Sequence, residues 1–342
     1  MVVHQYVEGI RRTASNETLL ADQVINFLYH PSREEPSFLL NALASGTVTN
    51  ALAYWQFDRT LVNAQRCIEY AAHRMLIRES ETLTGFAAMR TLRDLFERKI
   101  RYWDVRPLPD DVSSIVSPAD GKLLPFAAFE RDMLPVKSKF IRIDDLLGAA
   151  NPWRERFAST LNHESHVNHL AGVIVRLTPD VYHYTHAPVS GRIIARQTIE
   201  GRFHSCNPTA LVRFPGSYAL NRRVVTVYDT DVDCGTNVGK VVQVDVAAMM
   251  IGEIQSRYSE RRYEAPCSLN TGDFVVRGSP VSMFRPGSST SIVLWDGTRA
   301  SLSGELIANA ARTDLRSRFS DWLGKPWVET QVLVRQSIAE RT

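Results

Sequence analysis

Apolar positions fall into two textures along this chain, and the change comes near residue 109. From Asn16 to Tyr29 they recur at helical spacing, and Pro31 and Pro36 interrupt the pattern just beyond. Ala64 to Trp103 is nearly free of Gly and Pro. It carries Ile68, Ala71, Ala72, Met75 and Leu76, then Phe86, Met89, Leu92, Leu95 and Phe96, at steps of three and four. That spacing predicts helices over most of the first hundred residues. Pro107-Leu-Pro109-Asp110-Asp111 breaks the pattern and separates a helical N-terminal region, 1–109, from a second region, 110–342.

Beyond Pro109 the apolar runs shorten and become β-rich: Ala171–Leu177, Gly191–Ile199, Arg223–Tyr228, Lys240–Ala248, Phe274–Val276 and Ser291–Trp295. Turn residues separate them, as in Asp233-Cys-Gly235 and Asn270-Thr-Gly-Asp273. Helical spacers are few, so the fold class expected is α+β with a mostly antiparallel β core. A short helical tail is expected from Gly304, where Leu306, Ile307, Ala310 and Ala311 share a side.

Composition narrows the function classes. The 342 residues carry 40 Lys+Arg against 37 Asp+Glu, a net charge of +3, which leaves no basic footprint for nucleic acid. The four cysteines are scattered, with no C-x-x-C pair. The stretch Val241–Ile254 is interrupted by Gln243, Asp245 and Glu253, far from the ~18 apolar residues of a membrane span. The opening MVVHQYVEGIRR has no apolar h-region, so no cleaved signal peptide is expected. The expected location is cytoplasmic, or peripheral at the inner membrane face.

Three segments hold polar groups where a packed β protein does not casually place them. In Ser117-Pro-Ala-Asp120-Gly-Lys122 a tight turn leads into an apolar run; alone, Asp before Gly is a common turn. In Tyr182-His183-Tyr-Thr-His186-Ala-Pro188 two histidines stand three apart, which suits metal ligands, acid–base groups or core packing. On a strand they would face opposite sides and take different roles. In Pro286-Gly287-Ser288-Ser289-Thr290 a glycine relaxes the backbone before a hydroxyl at the entrance of a buried strand. It is not the G-x-S-x-G elbow of hydrolases. His163-Glu-Ser-His166-Val-Asn-His169 looks metal-like but is not H-E-x-x-H, and reads better as a solvated loop; no metal is expected.

Taken together, the Asp in SPADG, the His in YHYTHAPVSG and the Ser in PGSST resemble the phosphatidylserine decarboxylase family. Three further stretches are similar to the same family: Lys139 to Leu146-Leu147-Gly148, Phe203 to Asn207-Pro208, and Asn221 through Ile251-Gly252-Glu253-Ile254. The resemblance implies a self-cleaving proenzyme that makes its own pyruvoyl cofactor from serine, without pyridoxal phosphate. Asp120, His186 and a serine would form the cleavage triad. The pyruvoyl ketone would then form a Schiff base with phosphatidylserine and yield phosphatidylethanolamine and CO₂. His183 or His186 would return a proton to the carbanion, an imidazole ordinarily titrating near working pH.

The chain departs from the family's Gly-Ser-Thr by having Gly287-Ser288-Ser289-Thr290. Placing the Thr and Trp295 in register selects Ser289, with cleavage between 288 and 289; Ser288 is the alternative register. Tyr184-Thr185 replaces the basic residue often found after the first His, and Pro286 precedes Gly287. The cleaved chains would stay associated, and a homo-oligomer is expected. Rival readings are a soluble pyruvoyl-dependent amino-acid decarboxylase, a Ser-His-Asp hydrolase and a non-enzymatic β-rich binding module. The Ala64–Trp103 segment with Arg74, Arg78, Arg90 and Arg93 would suit an anionic membrane surface, or would simply cover the core.

Overall fold

The computed structural model describes residues 3–9, 13–17, 19, 44–59, 63–127, 133–136, 139–148, 170–214, 216–249, 253–287, 289–320 and 325–342. Most of the helix expected over 16–29, the His163–His169 stretch and Ser288 lie outside the described residues.

In chain order the strands are β1 (Gln5–Glu8), β2 (Thr13–Asn16), β3 (Ile115–Val116), β4 (Gly121–Ala127), β5 (Met133–Val136) and β6 (Lys139–Arg142). Next come β7 (Leu170–Leu177), β8 (Tyr184–His186), β9 (Gly191–Ile199), β10 (Arg223–Asp229), β11 (Lys240–Ala247) and β12 (Ile254–Ser256). The last six are β13 (Phe274–Val275), β14 (Pro280–Phe284), β15 (Ser289–Asp296), β16 (Ala300–Leu302), β17 (Glu329–Val332) and β18 (Ser337–Arg341). Ten of them form one sheet in the order β13-β9-β10-β11-β15-β7-β4-β17-β1-β2. Its pairings are antiparallel apart from β1 with β17. The fold is α+β.

The apolar runs are continuous rather than alternating because the central strands are covered on both faces. Leu170–Leu177 is buried at every position. Val173, Val175 and Leu177 enter one core with Leu123, Val293 and Trp295, while Leu170 and Ile174 enter another with Phe126, Ile292 and Leu294. Gly172 permits this packing: a Cβ there would stand 2.5 Å from the Val293 carbonyl and 2.6 Å from the Phe126 ring. The small sheet β12-β14-β8 lies over the first core, to which Val281 and Phe284 contribute.

The N-terminal helical region is more broken than the spacing predicts. Its described residues hold α1 (Gly46–Ala53), α2 (Ala64–Arg74), α3 (Leu92–Phe96) and α4 (Tyr102–Val105), with a π-helical turn at Tyr54–Asp58 and two 3₁₀ turns. Thr91 and Asp94 form a capping box that starts α3. Residues 5–8 and 13–16, inside the region read as helical, are strands that extend the sheet edge. The helical tail is also short. Gly304–Ala310 is helical, and the chain then returns as β17 and β18. Partners distant in sequence, β4 for β17 and β3 for β18, decide these segments, and no local period reports them.

The helical pieces are not a separate layer. Ile100 and Tyr102 pack with Tyr182, Tyr184, Met283 and Val334 in one buried cluster over the outer side of the small sheet.

Candidate active site

The three polar segments converge at one end of the sheet. Ser289 opens β15 and pairs with Leu177, the last residue of β7, on one side and Ala247 on the other. Continuing the Lys122↔Arg176 register places Gly121 level with Leu177, so Asp120 leaves β4 at that same end. Gly121 and Ser289 are two strands apart, about 10 Å. The histidine segment leaves β7 directly after Leu177 and returns as β8. The His186 N–H donates to the Pro118 carbonyl (2.7 Å), tying it to the Asp120 turn.

Ser289 is fully buried, and its Oγ has no hydrogen-bond partner. Gly287, two residues earlier, has φ +149°, in a region that side chains rarely adopt. Thr178 Oγ1, His183 Nε2 and Ser282 Oγ are likewise buried without partners. Orphaned buried polar atoms are rare, and several in segments meeting at one place mark a site rather than a packed core.

Asp120 is an ion-pair partner before it is anything else. Its carboxylate accepts from Arg106 Nε (3.1 Å) and Nη2 (2.9 Å), and from the Val334 N–H (2.7 Å). Arg106 also reaches Glu81 Oε2 at 2.9 Å. Burial opposes the Arg106 charge, but Asp120 and then Glu81 outweigh it and hold its pKa above the ordinary value.

No hydrogen bond joins Asp120 to His186 or either histidine to Ser289. His186 Nδ1 lies 2.8 Å from the Gly278 carbonyl, which can only accept, so Nδ1 carries the proton. Nε2 then accepts from the Tyr182 hydroxyl at 3.0 Å. With the Tyr182 proton on His186, the single proton of Tyr263 serves either Tyr182 Oη (2.8 Å) or the Ile100 carbonyl (2.9 Å). His183 Nδ1 faces the Val181 carbonyl at 2.8 Å, and its ring packs on Phe96 with centroids 3.6 Å apart. Its Nε2 is therefore a bare lone pair.

Both imidazoles are held neutral. Burial pushes the His186 pKa down to about 3, and burial followed by the nearby Arg98 charge holds His183 well below 6.5. Titration near working pH, the reason for expecting one of them as proton donor, does not describe the uncleaved chain. These shifts bear on stability. At His186 the unfolded chain, with an imidazole near 6.5, binds more protons than the native one from about pH 6.5 down to about 3, and buried His183 adds in the same direction. Stability is therefore fully present above that window and falls as pH drops through it, by up to about 1.4 kcal/mol per pH unit per imidazole. Urea midpoints of an uncleaved variant should decline steadily from pH 6.5 to pH 4; a flat profile would contradict neutral burial.

Asp245 is a site residue that sequence reading passed over, except as an interruption of an apolar run. Its carboxylate accepts from Ser291 Oγ (2.7 Å) on β15, Thr185 Oγ1 (2.9 Å) on β8 and Gln243 Nε2 (3.2 Å). One buried carboxylate thus ties the strand carrying Ser289 to the strand carrying His186. Burial raises its pKa, offset in part by the Ser291 and Thr185 bonds. Arg98, Arg106, Tyr182 and Tyr263 were missed too. The available signal was weak: an Asp inside an otherwise apolar strand.

The model of the phosphatidylserine decarboxylase family matches residues 92–312, which include Asp120, His183, His186 and Ser289. The chain belongs to the phosphatidylserine decarboxylase family. It is 27% identical over 263 residues to the phosphatidylserine decarboxylase proenzyme of Chlamydia muridarum, covering 76% of this chain and 78% of that one. It is 30% identical to the proenzyme of Halorhodospira halophila, over 66% of this chain and 76% of the relative. With proenzyme 3 of Schizosaccharomyces pombe it shares 27% identity over 65% of its length but only 20% of that longer protein. Phosphatidylserine decarboxylases are carboxy-lyases, and the relatives' names mark them as proenzymes.

On the opposite face of the sheet, His4, Glu17 and Glu329 form a cluster of metal-ligand composition. Arg176 fills it instead: its guanidinium donates to Glu17 (2.6 and 2.9 Å) and to Glu329 (2.7 Å). The cluster is a buried ion-pair network anchoring β17 and the N-terminal hairpin to β7.

Proposed function

We propose that this chain is a pyruvoyl-dependent phosphatidylserine decarboxylase that cleaves itself before Ser289. The observation that carries the reading is the buried, unpartnered Ser289 hydroxyl behind a positive-φ glycine, level with the strand ends that lead to Asp120 and the histidines.

Ser289 Oγ attacks the carbonyl carbon of residue 288. Its proton passes to His186, which exchanges the Tyr182 hydroxyl for that of the serine. The C–N bond breaks as the acyl group moves to oxygen, and the freed nitrogen takes the proton. Loss of the Ser289 Cα proton expels residue 288 as a carboxylate and leaves dehydroalanine. Water converts this to a pyruvoyl group and ammonia. Asp120 supplies fixed negative charge for the transient imidazolium. A buried cluster of hydroxyls and neutral imidazoles fits a small, uncharged ketone at residue 289. That group supplies the electron sink for loss of CO₂. His183, with its bare Nε2, is the group placed to hold a proton and return it to the product carbon.

The substrate resides in a membrane, and the N-terminal region offers a surface for meeting one. Tyr54 and Trp55 are 64% and 68% exposed, with Arg59 over the Trp55 ring, and Tyr70 and Leu76 are exposed along and just after α2. Aromatic and basic groups together suit peripheral attachment to an anionic inner face. Among the described residues no helix is long and apolar enough to cross a membrane.

Release of labelled CO₂ tests the whole reading. Purified protein should release it from phosphatidylserine in mixed micelles and not from a panel of free amino acids. Release from a free amino acid alone would replace the lipid reading with the soluble-decarboxylase one.

A further inference from the structure

The pocket beside the histidine strand has an electrically lopsided wall. It encloses about 450 Å³, with Tyr184 and Met283, which are cross-strand partners in β8 and β14, on one side. Arg98, Lys99 and Arg257 also line it. None of these three cations makes an ion pair with a carboxylate of the described residues. The two carboxylates in the wall are committed elsewhere. Asp94 accepts the N–H groups of Arg90 (2.7 Å) and Thr91 (2.9 Å), and Glu97 takes Arg93 Nη1 at 2.8 Å.

Arg98 is the informative member. It is only 7% exposed, yet its guanidinium donates to two neutral carbonyls, Leu95 (3.0 Å) and Asp180 (2.6 Å). Asp120, Asp180 and Glu81 act on it only at a distance, and burial outweighs them, so the guanidinium lacks a direct anionic partner, a costly arrangement unless an anion completes it. The two carbonyls fix its plane and leave further N–H groups for such an anion. The pocket is also connected to the chemistry: His183 precedes Tyr184, and β14 runs from Met283 towards Ser289.

The anion is argued from charge flow. A carboxylate about to depart as CO₂ loses its negative charge, so a cation fixed on it would stabilise the ground state more than the transition state. A phosphodiester keeps its charge throughout, and cations on it contribute binding alone. We propose that Arg98, Lys99 and Arg257 form the subsite for the phosphodiester of the phosphoserine headgroup. The inference rests on the decarboxylase reading above and deepens it, because a free amino acid has nothing to place there.

Two measurements test it on the mature, cleaved enzyme. Arg98→Gln should raise KM for phosphatidylserine about tenfold or more, with a smaller change in kcat. Because Arg98 is buried, its variant could fail by misfolding, so Lys99→Ala/Arg257→Ala, at two exposed positions, carries the same test. Calorimetry with glycerophosphoserine and with inorganic phosphate reads the subsite without turnover. Wild type should bind both and the double variant several-fold more weakly. Unchanged KM in the folded double variant, or equal phosphate binding by it and wild type, overturns the subsite. If wild type binds phosphate here but releases no CO₂ from phosphatidylserine, the subsite stands and the decarboxylase reading falls.

Discussion

Ser289→Ala should leave the chain whole and inactive. Without the hydroxyl no ester forms at residue 288, and without the ester no pyruvoyl group can arise, so the loss is complete rather than graded. The wild-type chain should yield pieces 1–288 and 289–342, the second starting with a blocked, ninhydrin-silent terminus. Mass spectrometry reads the position and the terminal chemistry together. Ser288→Ala should still mature. If Ser288→Ala is the variant that stays whole while Ser289→Ala cleaves, the register is one residue off. The structure adds a reason to favour 289: this residue opens β15 and is fully buried in the row formed with Leu177 and Ala247.

Asp120→Asn should both destabilise the fold and slow maturation, and the two effects can be separated. The substitution leaves Arg106 buried with only the more exposed Glu81 as partner. Breaking a buried pair from one side costs roughly 3 kcal/mol, visible as a lowered urea midpoint. Maturation should slow by about 100-fold if the carboxylate also stabilises the imidazolium during cleavage. Arg106→Gln/Asp120→Asn decides between the two roles. It removes the stranded charge and should recover much of the stability, yet remain slow to cleave. Recovery of the wild-type cleavage rate would make Asp120 a partner of Arg106 and nothing more. The outcome matters because the carboxylate meets Arg106 and the Val334 N–H in the uncleaved chain, while the Gly278 carbonyl faces His186 Nδ1.

Local pattern was enough for the β core. Leu170–Leu177, Arg223–Asp229 and Lys240–Ala247 were legible to within one residue, because both faces of these strands are buried and nearly every position must be apolar or packed; Gly191–Ile199, more exposed, was legible residue for residue from its β-branched run after a turn glycine. Motif order was enough for the family, and it singled out Asp120, His183, His186 and Ser289, which the fold brings to one end of the sheet. What the chain alone could not express was pairing between distant segments. β1, β2, β17 and β18 are short, partly polar, and become strands only because an unpaired edge is waiting for them. Partner choice among charges was equally hidden. Nothing near Asp120 in sequence says that Arg106 will hold it, that Asp245 will bridge Thr185 and Ser291, or that buried Arg98 will donate to two backbone carbonyls. Hydrogen bonds and ion pairs are decided at about 3 Å in three dimensions, whereas apolar periodicity is written along one.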